Sequence, residues 1–497
     1  MSLRYARSAL AIRSQPTEPA NASALGAISP GGHARPQARR WKTVVLWLLL
    51  AVVLLAPLPL GSNRPLPASA LSAAVGILLC VWAVGSMVAP ARALRPLEPF
   101  WLSLVMFGLV AAWAALQAVP FTPASLHHPY WSEADRILRL PYAGAISINP
   151  GATWSHLMAL LAYGGIFWLA LHLCRPEARA HQVLVALAVG GLFYAGYGLF
   201  DSLRSDTGIV TSTFVNRNSY ATYAGMTLFC AFGLTLQELR REERACVSLR
   251  RIALDVMARF DTPLAIGIIT CLVAGTALLL TQSRGAFVAL CAAFVAFVWS
   301  LRRMAFVTSR AFFQITAALS LGLLLALLGL AGEGTLGRFP QADAQAVNRL
   351  AYYRTTWDAI LDRPLLGTGY GTYADAFKAY NHPGTGTYFL DKAHNTYLQL
   401  IMELGWPAAA ALFSSVGLLV IRCLQGRSRH GRSAVYPAVL AACSALVAVH
   451  SLVDFSLEMP ANAATYALIL GLVCAQSLRN GARRRALTLC EGDPTNN

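Results

Sequence analysis

Charge is what this chain has least of. Asp, Glu, Lys and Arg make up only 13% of its 497 residues, against roughly a quarter in soluble domains. Acids are the scarcer kind, 23 against 40 Lys and Arg, while 56% of the residues are hydrophobic. This balance excludes an ordinary soluble domain and points to an all-α integral membrane protein. Other absences narrow the class. No G-x-S-x-G stretch stands near an apolar span, which argues against an intramembrane serine protease. No small-residue cleavage site follows the first apolar stretch, so that stretch reads as an uncleaved anchor. None of the ten cysteines falls in a segment expected to face outward, so structural disulfides are not expected.

What is present in abundance is apolar sequence in lengths of about 20 residues, enough to cross a bilayer. Such stretches lie near 43–60, 67–89, 99–119, 153–173, 181–200, 218–236, 263–281, 285–301, 311–331, 394–421, 434–452 and 461–478, which makes about 12 transmembrane helices. Residues 263–301 are too long for one span and read as a hairpin turning at Thr281–Phe287, TQSRGAF. Most of the Lys and Arg cluster in alternate segments, including 1–42, 240–259, 302–310, 422–432 and 479–485. By the positive-inside rule these segments and both termini are cytoplasmic. The net charge of +17 is then a signal of topology and calls for no nucleic acid. The expected layout is a disordered basic N-terminus at 1–42, spans one to nine over 43–331, a large outward loop carrying short helices at 332–393, three more spans over 394–478, and a cytoplasmic tail at 479–497.

Three short motifs recur at the expected outer surface: STFVNRNSYATYAGM at 212–226, TQSRGAF at 281–287 and KAHNTYLQLIMELG at 392–405. Each places a cationic or ionisable residue, Arg217, Arg284 or His394, at the mouth of an apolar helix. Two guanidinium groups suit an anionic substrate, since arginine grips phosphate oxygens bidentately and keeps its charge. Alternatively both arginines are interfacial anchors reaching for headgroups. The flanking Asn216 and Asn218 weigh against simple anchoring at Arg217. His394 is expected in the first turn of a long helix, where unpaired N–H groups and Lys392 disfavour its protonation and leave a neutral imidazole able to act as a general base. A helix cap or an interfacial histidine is the plainer alternative.

Further candidates are weaker. NRLAYYRTTWDAI at 348–360 reads as an amphipathic helix with Leu350, Tyr353, Trp357 and Ile360 on one face, and with Arg349 and Arg354 either over a cavity or paired with Asp358 and Asp362. His450 and Asp454 are spaced one helical turn apart, which suits part of a metal site or a structural tie at the outer surface. No third ligand is evident, and the tie is preferred. Glu133 and Asp135 form an acidic pair of the kind that can hold a divalent metal, a role not assigned to them here.

Taken together, TFVNRNSYATY, TQSRGA, NRLAYYRTTWDAILDRPLLGTGYGTY and HNTYLQLIMELG, over roughly residues 200–475, resemble the O-antigen ligase and O-antigen polymerase (Wzy-type) superfamily of bacterial inner-membrane glycosyltransferases. The resemblance implies a GT-C-like fold and a metal-independent, inverting transfer from an undecaprenyl-pyrophosphate-linked glycan at the periplasmic face, with no cofactor. Position by position it implies that Arg217 and Arg284 bind the donor pyrophosphate and that His394 activates or orients the acceptor hydroxyl. Asn216, Asn218, Ser283, Arg349, Arg354, Asn395 and Glu403 take supporting roles. The acceptor, a growing glycan, lipid A core or a protein side chain, is left open by these motifs. A polysaccharide ligase or polymerase is preferred over a protein O-oligosaccharyltransferase. A multi-span lipid or saccharide transporter is the rival from another class, and it is disfavoured because the two halves show no repeat and the polar segment 332–393 has no counterpart in the first half.

Overall fold

The computed structural model describes residues 36–88, 97–139, 143–204, 208–239, 263–303, 339–380, 390–425 and 435–491, with 314, 321 and 322. Among them there are helices and turns but no strand, as backbone polar groups at membrane depth require. The helices are α1 (Pro36–Leu55), α2 (Pro65–Val88), α3 (Trp101–Ala118), α4 (Pro129–Leu138), α5 (Pro150–Leu173), α6 (Glu177–Ser202), α7 (Arg217–Leu239), α8 (Pro263–Leu280), α9 (Arg284–Arg303), α10 (Phe339–Asp362), α11 (Tyr373–Tyr380), α12 (Thr396–Leu404), α13 (Trp406–Gln425), α14 (Val435–His450) and α15 (Pro460–Glu491). Among the described residues eight helical segments are long and apolar enough to cross a membrane, and the chain is a membrane protein. Helices α1, α7 and α14 occupy three more of the expected span positions. All of the expected span at 311–331 except residues 314, 321 and 322, the N-terminal 35 residues and the basic segment 240–259 lie outside the described residues.

The centre of the bundle is α15 packed on α5, with α6, α7 and α14 against α15 and α9 against α14, while α2 and α3 present most of their apolar side chains outward. Lipid gives no hydrophobic drive for helix pairing, so close approach of small residues has to supply it. Gly471 of α15 provides this by lying against the Phe167 carbonyl of α5, where any side chain would collide with backbone. The hairpin expected over 263–301 is present as α8 and α9, joined at Thr281–Ser283 with Gln282 at a left-handed φ of 51°.

The expected span at 394–421 is instead two helices, α12 and α13. The break is at Gly405, whose φ is 78° and whose missing side chain would run into the Leu365 carbonyl. Its N–H closes α12 on Ile401 O at 2.9 Å, and Trp406 N–H turns to Pro364 O at 2.8 Å to start the next helix. A left-handed glycine followed by proline in the new first turn is an ordinary stop and restart. The polar segment therefore docks on α12, before the true span begins.

That docking runs through GTGYGTY at 367–373. Thr368 N–H donates to Met402 O and Gly369 N–H to Glu403 O, both at 2.9 Å, and Ile148 N–H donates to Thr368 O at 2.9 Å. The buried Gln117 at the end of α3 adds its amide N–H groups to Leu366 O and Glu403 O, and accepts from Tyr370 N–H. Gly371, at φ 79°, lies against the His156 ring on α5. Gly371→Ala should therefore lower the melting temperature in detergent well beyond the roughly 1–2 kcal/mol of a left-handed alanine, because the new methyl also overlaps an imidazole. Gly417→Ala on α13, with nothing within 4 Å of the new carbon, is the matched control and should change stability by no more than about 1 kcal/mol.

Candidate active site

The three polar motifs, separated by many spans in sequence, meet on one carboxylate. Asp454 is 1% exposed, in the turn between α14 and α15. Its Oδ1 accepts from Asn218 Nδ2 at 3.3 Å and lies 3.7 Å from His394 Nδ1. Its Oδ2 accepts from the Ser456 hydroxyl, and its backbone carbonyl accepts from the Thr396 hydroxyl at 3.2 Å. Asn218 in turn accepts at Oδ1 from the Ser283 hydroxyl at 2.8 Å. Ser283, beside Arg284, is thereby coupled to Asn218, beside Arg217, and through Asp454 to His394.

The elements that bring them there are helix beginnings. Arg217 is the first residue of α7 and Arg284 the first of α9, both partly buried. Asn216 caps α7, its Oδ1 accepting from Ser219 N–H at 2.8 Å, which accounts for that residue without a ligand. The start of α9 presses on the tip of α14, where a side chain at Gly285 would meet Val453 and His450. His450 faces the Thr222 hydroxyl of α7 at 2.7 Å. The beginnings of α7, α9 and α12 therefore lie close together around Asp454, and each brings the partial positive charge of a helix N-terminus. Such a place favours anions.

His394 differs from the expectation. It stands ahead of α12, at a left-handed φ of 51°, and the helix cap is Asn395, whose Oδ1 accepts from Leu398 N–H at 3.1 Å. The imidazole is 32% exposed, packed edge-on against Phe455 at 4.9 Å, with its carbonyl accepting from the Tyr353 hydroxyl at 3.1 Å. Nδ1 has no hydrogen-bond partner at present, and Asp454 at 3.7 Å is just out of range. Catalytic hydrogen bonds are often this long before substrate arrives. Burial opposes charge on Asp454, but the His394 and His450 rings and the Ser456 hydroxyl hold it below the usual carboxylate range. His450 and Asp454 are not one turn apart on a helix, because α14 ends at His450. They share the Ser456 hydroxyl as a neighbour, and Asp454 also faces His394.

Lys392 was expected to press positive charge on His394. Instead its ammonium is 2.9 Å from Glu458, which also accepts from Gln399. Glu403 completes this buried cluster: its carboxylate accepts from Gly371 N–H at 2.9 Å, Tyr373 N–H at 3.2 Å and Gln399 at 3.2 Å. Glu403 is thus a brace between α12 and the glycine loop. Burial and the neighbouring Glu458 push its carboxyl up to about 7, against the opposing pull of Lys392. Lys392 and Glu458 were not expected as partners, and only the fold shows that residues so far apart in sequence meet.

The other candidates fall elsewhere. On α10 the packed face is Tyr352, Thr355, Thr356, Ala359 and Ile360, so Leu350 and Trp357, expected inside, lie exposed. Of the four residues expected on one face, Ile360 lies in this packed stripe, which Thr and Ala otherwise fill, while Leu350 and Trp357 do not. Arg354 and Asp358 are exposed and no ion pair joins them among the described residues. Arg349 lies on the same helix with its side chain outside the described residues. Glu133 is tied to Arg136 on the exposed side of α4. Among the described residues no group of three His, Cys, Asp or Glu could hold a metal.

Glu403 yields a pH signature. An acid whose folded value is raised supports the fold fully below its unfolded value, about 4.3, and loses that support as pH rises through the folded value. The melting temperature of the wild type should therefore fall relative to Glu403→Gln between about pH 4.3 and 7. A gap between the two proteins that is the same at every pH would contradict the buried, charge-averse environment.

No curated protein matches this chain. Residues 269–413 match the family described as O-antigen ligase, a stretch that holds Arg284, the glycine loop and His394 and stops short of Arg217 and Asp454 on either side. Over that region, from within α8 to within α13, the chain is similar to the O-antigen ligase family.

Proposed function

We propose that the protein is a membrane glycosyltransferase that moves a glycan from an undecaprenyl-pyrophosphate-linked donor to an acceptor hydroxyl at the periplasmic face, in the manner of an O-antigen ligase or polymerase. The observation that carries this reading is the meeting of Asn218, Ser283 and His394 around Asp454, which gathers three helix N-termini, two opened by arginine, beside an imidazole. The further features, about 12 spans in a GT-C-like arrangement, cytoplasmic termini, inversion and independence of metal, belong to the same proposal.

In this mechanism Asp454 holds Nδ1–H of His394, which fixes the tautomer and leaves Nε2 free to take a proton. The acceptor oxygen attacks the anomeric carbon, its proton passes to Nε2, and the bond from that carbon to the pyrophosphate oxygen breaks with its electrons leaving on phosphate. Arg217 and Arg284, aided by the helix N-termini, neutralise the departing pyrophosphate, the task that a divalent cation performs elsewhere. A single in-line displacement of this kind inverts the anomeric centre.

Purified protein with a lipid-linked donor tests the roles. His394→Ala should cost about 10² to 10⁴-fold in transfer, the range for a lost general base. His394→Asn keeps a hydrogen bond without basicity and should be nearly as impaired; recovery to near wild-type rate would leave His394 as a positioning group only. Arg217→Lys and Arg284→Lys keep charge but lose the planar fork, and each should reduce transfer strongly. Full activity in both would return these arginines to anchoring. Transfer should survive chelation; loss to chelator with rescue by magnesium or manganese would overturn the charge-neutralising role of the arginines.

A further inference from the structure

The loop helix α10 has apolar residues on two opposite sides, and packing explains only one. Tyr352, Thr356, Ala359 and Ile360 turn inward onto α11 and α12. On the far side Leu350, Arg354, Trp357 and Leu361 fall within about 60° of one another at 100° per residue, a stripe about opposite the packed face. Leu350, Trp357 and Leu361, with Leu365 just beyond the helix, are between 42% and 65% exposed. An outer face meeting water would carry charge there, and α10 does carry Asp358 and Asp362 to one side of the stripe.

The stripe does not end in solvent. Trp357 packs edge-on against Trp406 at 6.3 Å, and Trp406, itself 44% exposed, opens the apolar span α13. Trp406 N–H is bonded to Pro364 O, so Leu365 sits directly beside the start of the span. The exposed side of α10 is therefore continuous with the lipid-facing surface of a membrane helix. Two tryptophans at that junction are the residues an interface between hydrocarbon and headgroups attracts. Arg354, in the middle of the stripe, has the length to lay its methylenes on the acyl boundary and raise its guanidinium to a phosphate.

We infer that α10 is a membrane-interface helix, which seats its Leu350–Trp357–Leu361 side in the headgroup region of the leaflet beside α13, with lipid as the occupant of that surface. A helix so placed is clamped between the bilayer and α12, and α12 carries the His394 segment. The inference is independent of the transfer chemistry and holds or fails without it.

The test places a genetically encoded dansyl-bearing residue singly at Leu361, at Asp358 and at Leu272. Leu272, 67% exposed on α8, reports correct insertion. Full-length protein is reconstituted in phosphatidylcholine vesicles containing phospholipid brominated near the top of the acyl chain. The fluorophore at Leu361 should lose most of its emission to the brominated lipid and little to aqueous iodide, as should the one at Leu272, while the one at Asp358 should respond chiefly to iodide. Quenching of Leu361 by iodide with Leu272 still quenched by lipid would show the stripe in water and overturn the inference. Protection of Leu361 from both quenchers would overturn it equally, since a second copy or another segment of this chain would then cover the stripe. If the label at Leu361 perturbs folding, the same pattern is read at Leu350.

Discussion

A buried carboxylate must find partners, and the way the beginnings of α7, α9 and α12 meet follows from how Asp454 finds them. It takes one hydrogen bond from α7 through Asn218 and one from its own turn through Ser456, and leaves its remaining approach to His394. Unpaired burial of such a charge would cost several kcal/mol, so the three helix beginnings are held together by the need to satisfy it. Arrangement of the helix starts sets the electrostatics: two of the helix beginnings that meet at Asp454 open with an arginine. The same group that ties the structure also faces the imidazole.

Behind this site lies a second polar unit with a mechanical task. Glu403, Gln399, Lys392 and Glu458 join α12, the glycine loop, the His394 segment and the turn before α15 through buried contacts. The polar segment is thereby attached to α12 rather than hanging free over the bundle. A charged cluster of this kind adds little net stability, but removal of one member leaves the others buried and uncompensated. Its effect is to fix the backbone that presents His394 in its unusual left-handed conformation.

The membrane class, the positions of the long helices and the α8–α9 hairpin were legible in the sequence, because apolar length and a polar break carry that information directly. The three motifs were legible too, since an arginine or histidine beside amides at the mouth of an apolar helix is costly without a reason. Their meeting point was not. Asp454 sits in a short turn and pairs with Asn218 across more than 200 residues, and no local pattern marks such a contact. The break at Gly405 was readable in principle from Glu-Leu-Gly-Trp-Pro, but the apolar run on both sides concealed it. The orientation of α10 was hidden for a different reason: its exposed side is as apolar as its buried one, so periodicity alone could not choose.

The central claim is that Asp454 and His394 act as one unit in transfer, and a double-mutant cycle measures that most directly. Transfer rates from a lipid-linked donor would be compared for wild type, His394→Asn, Asp454→Asn and the double variant, each checked for insertion and melting temperature. Residues that work as a unit are strongly non-additive, so the double variant should be hardly slower than the worse of the two single ones. Losses that simply multiply would contradict the account, and would leave Asp454 as a structural tie with no part in the reaction.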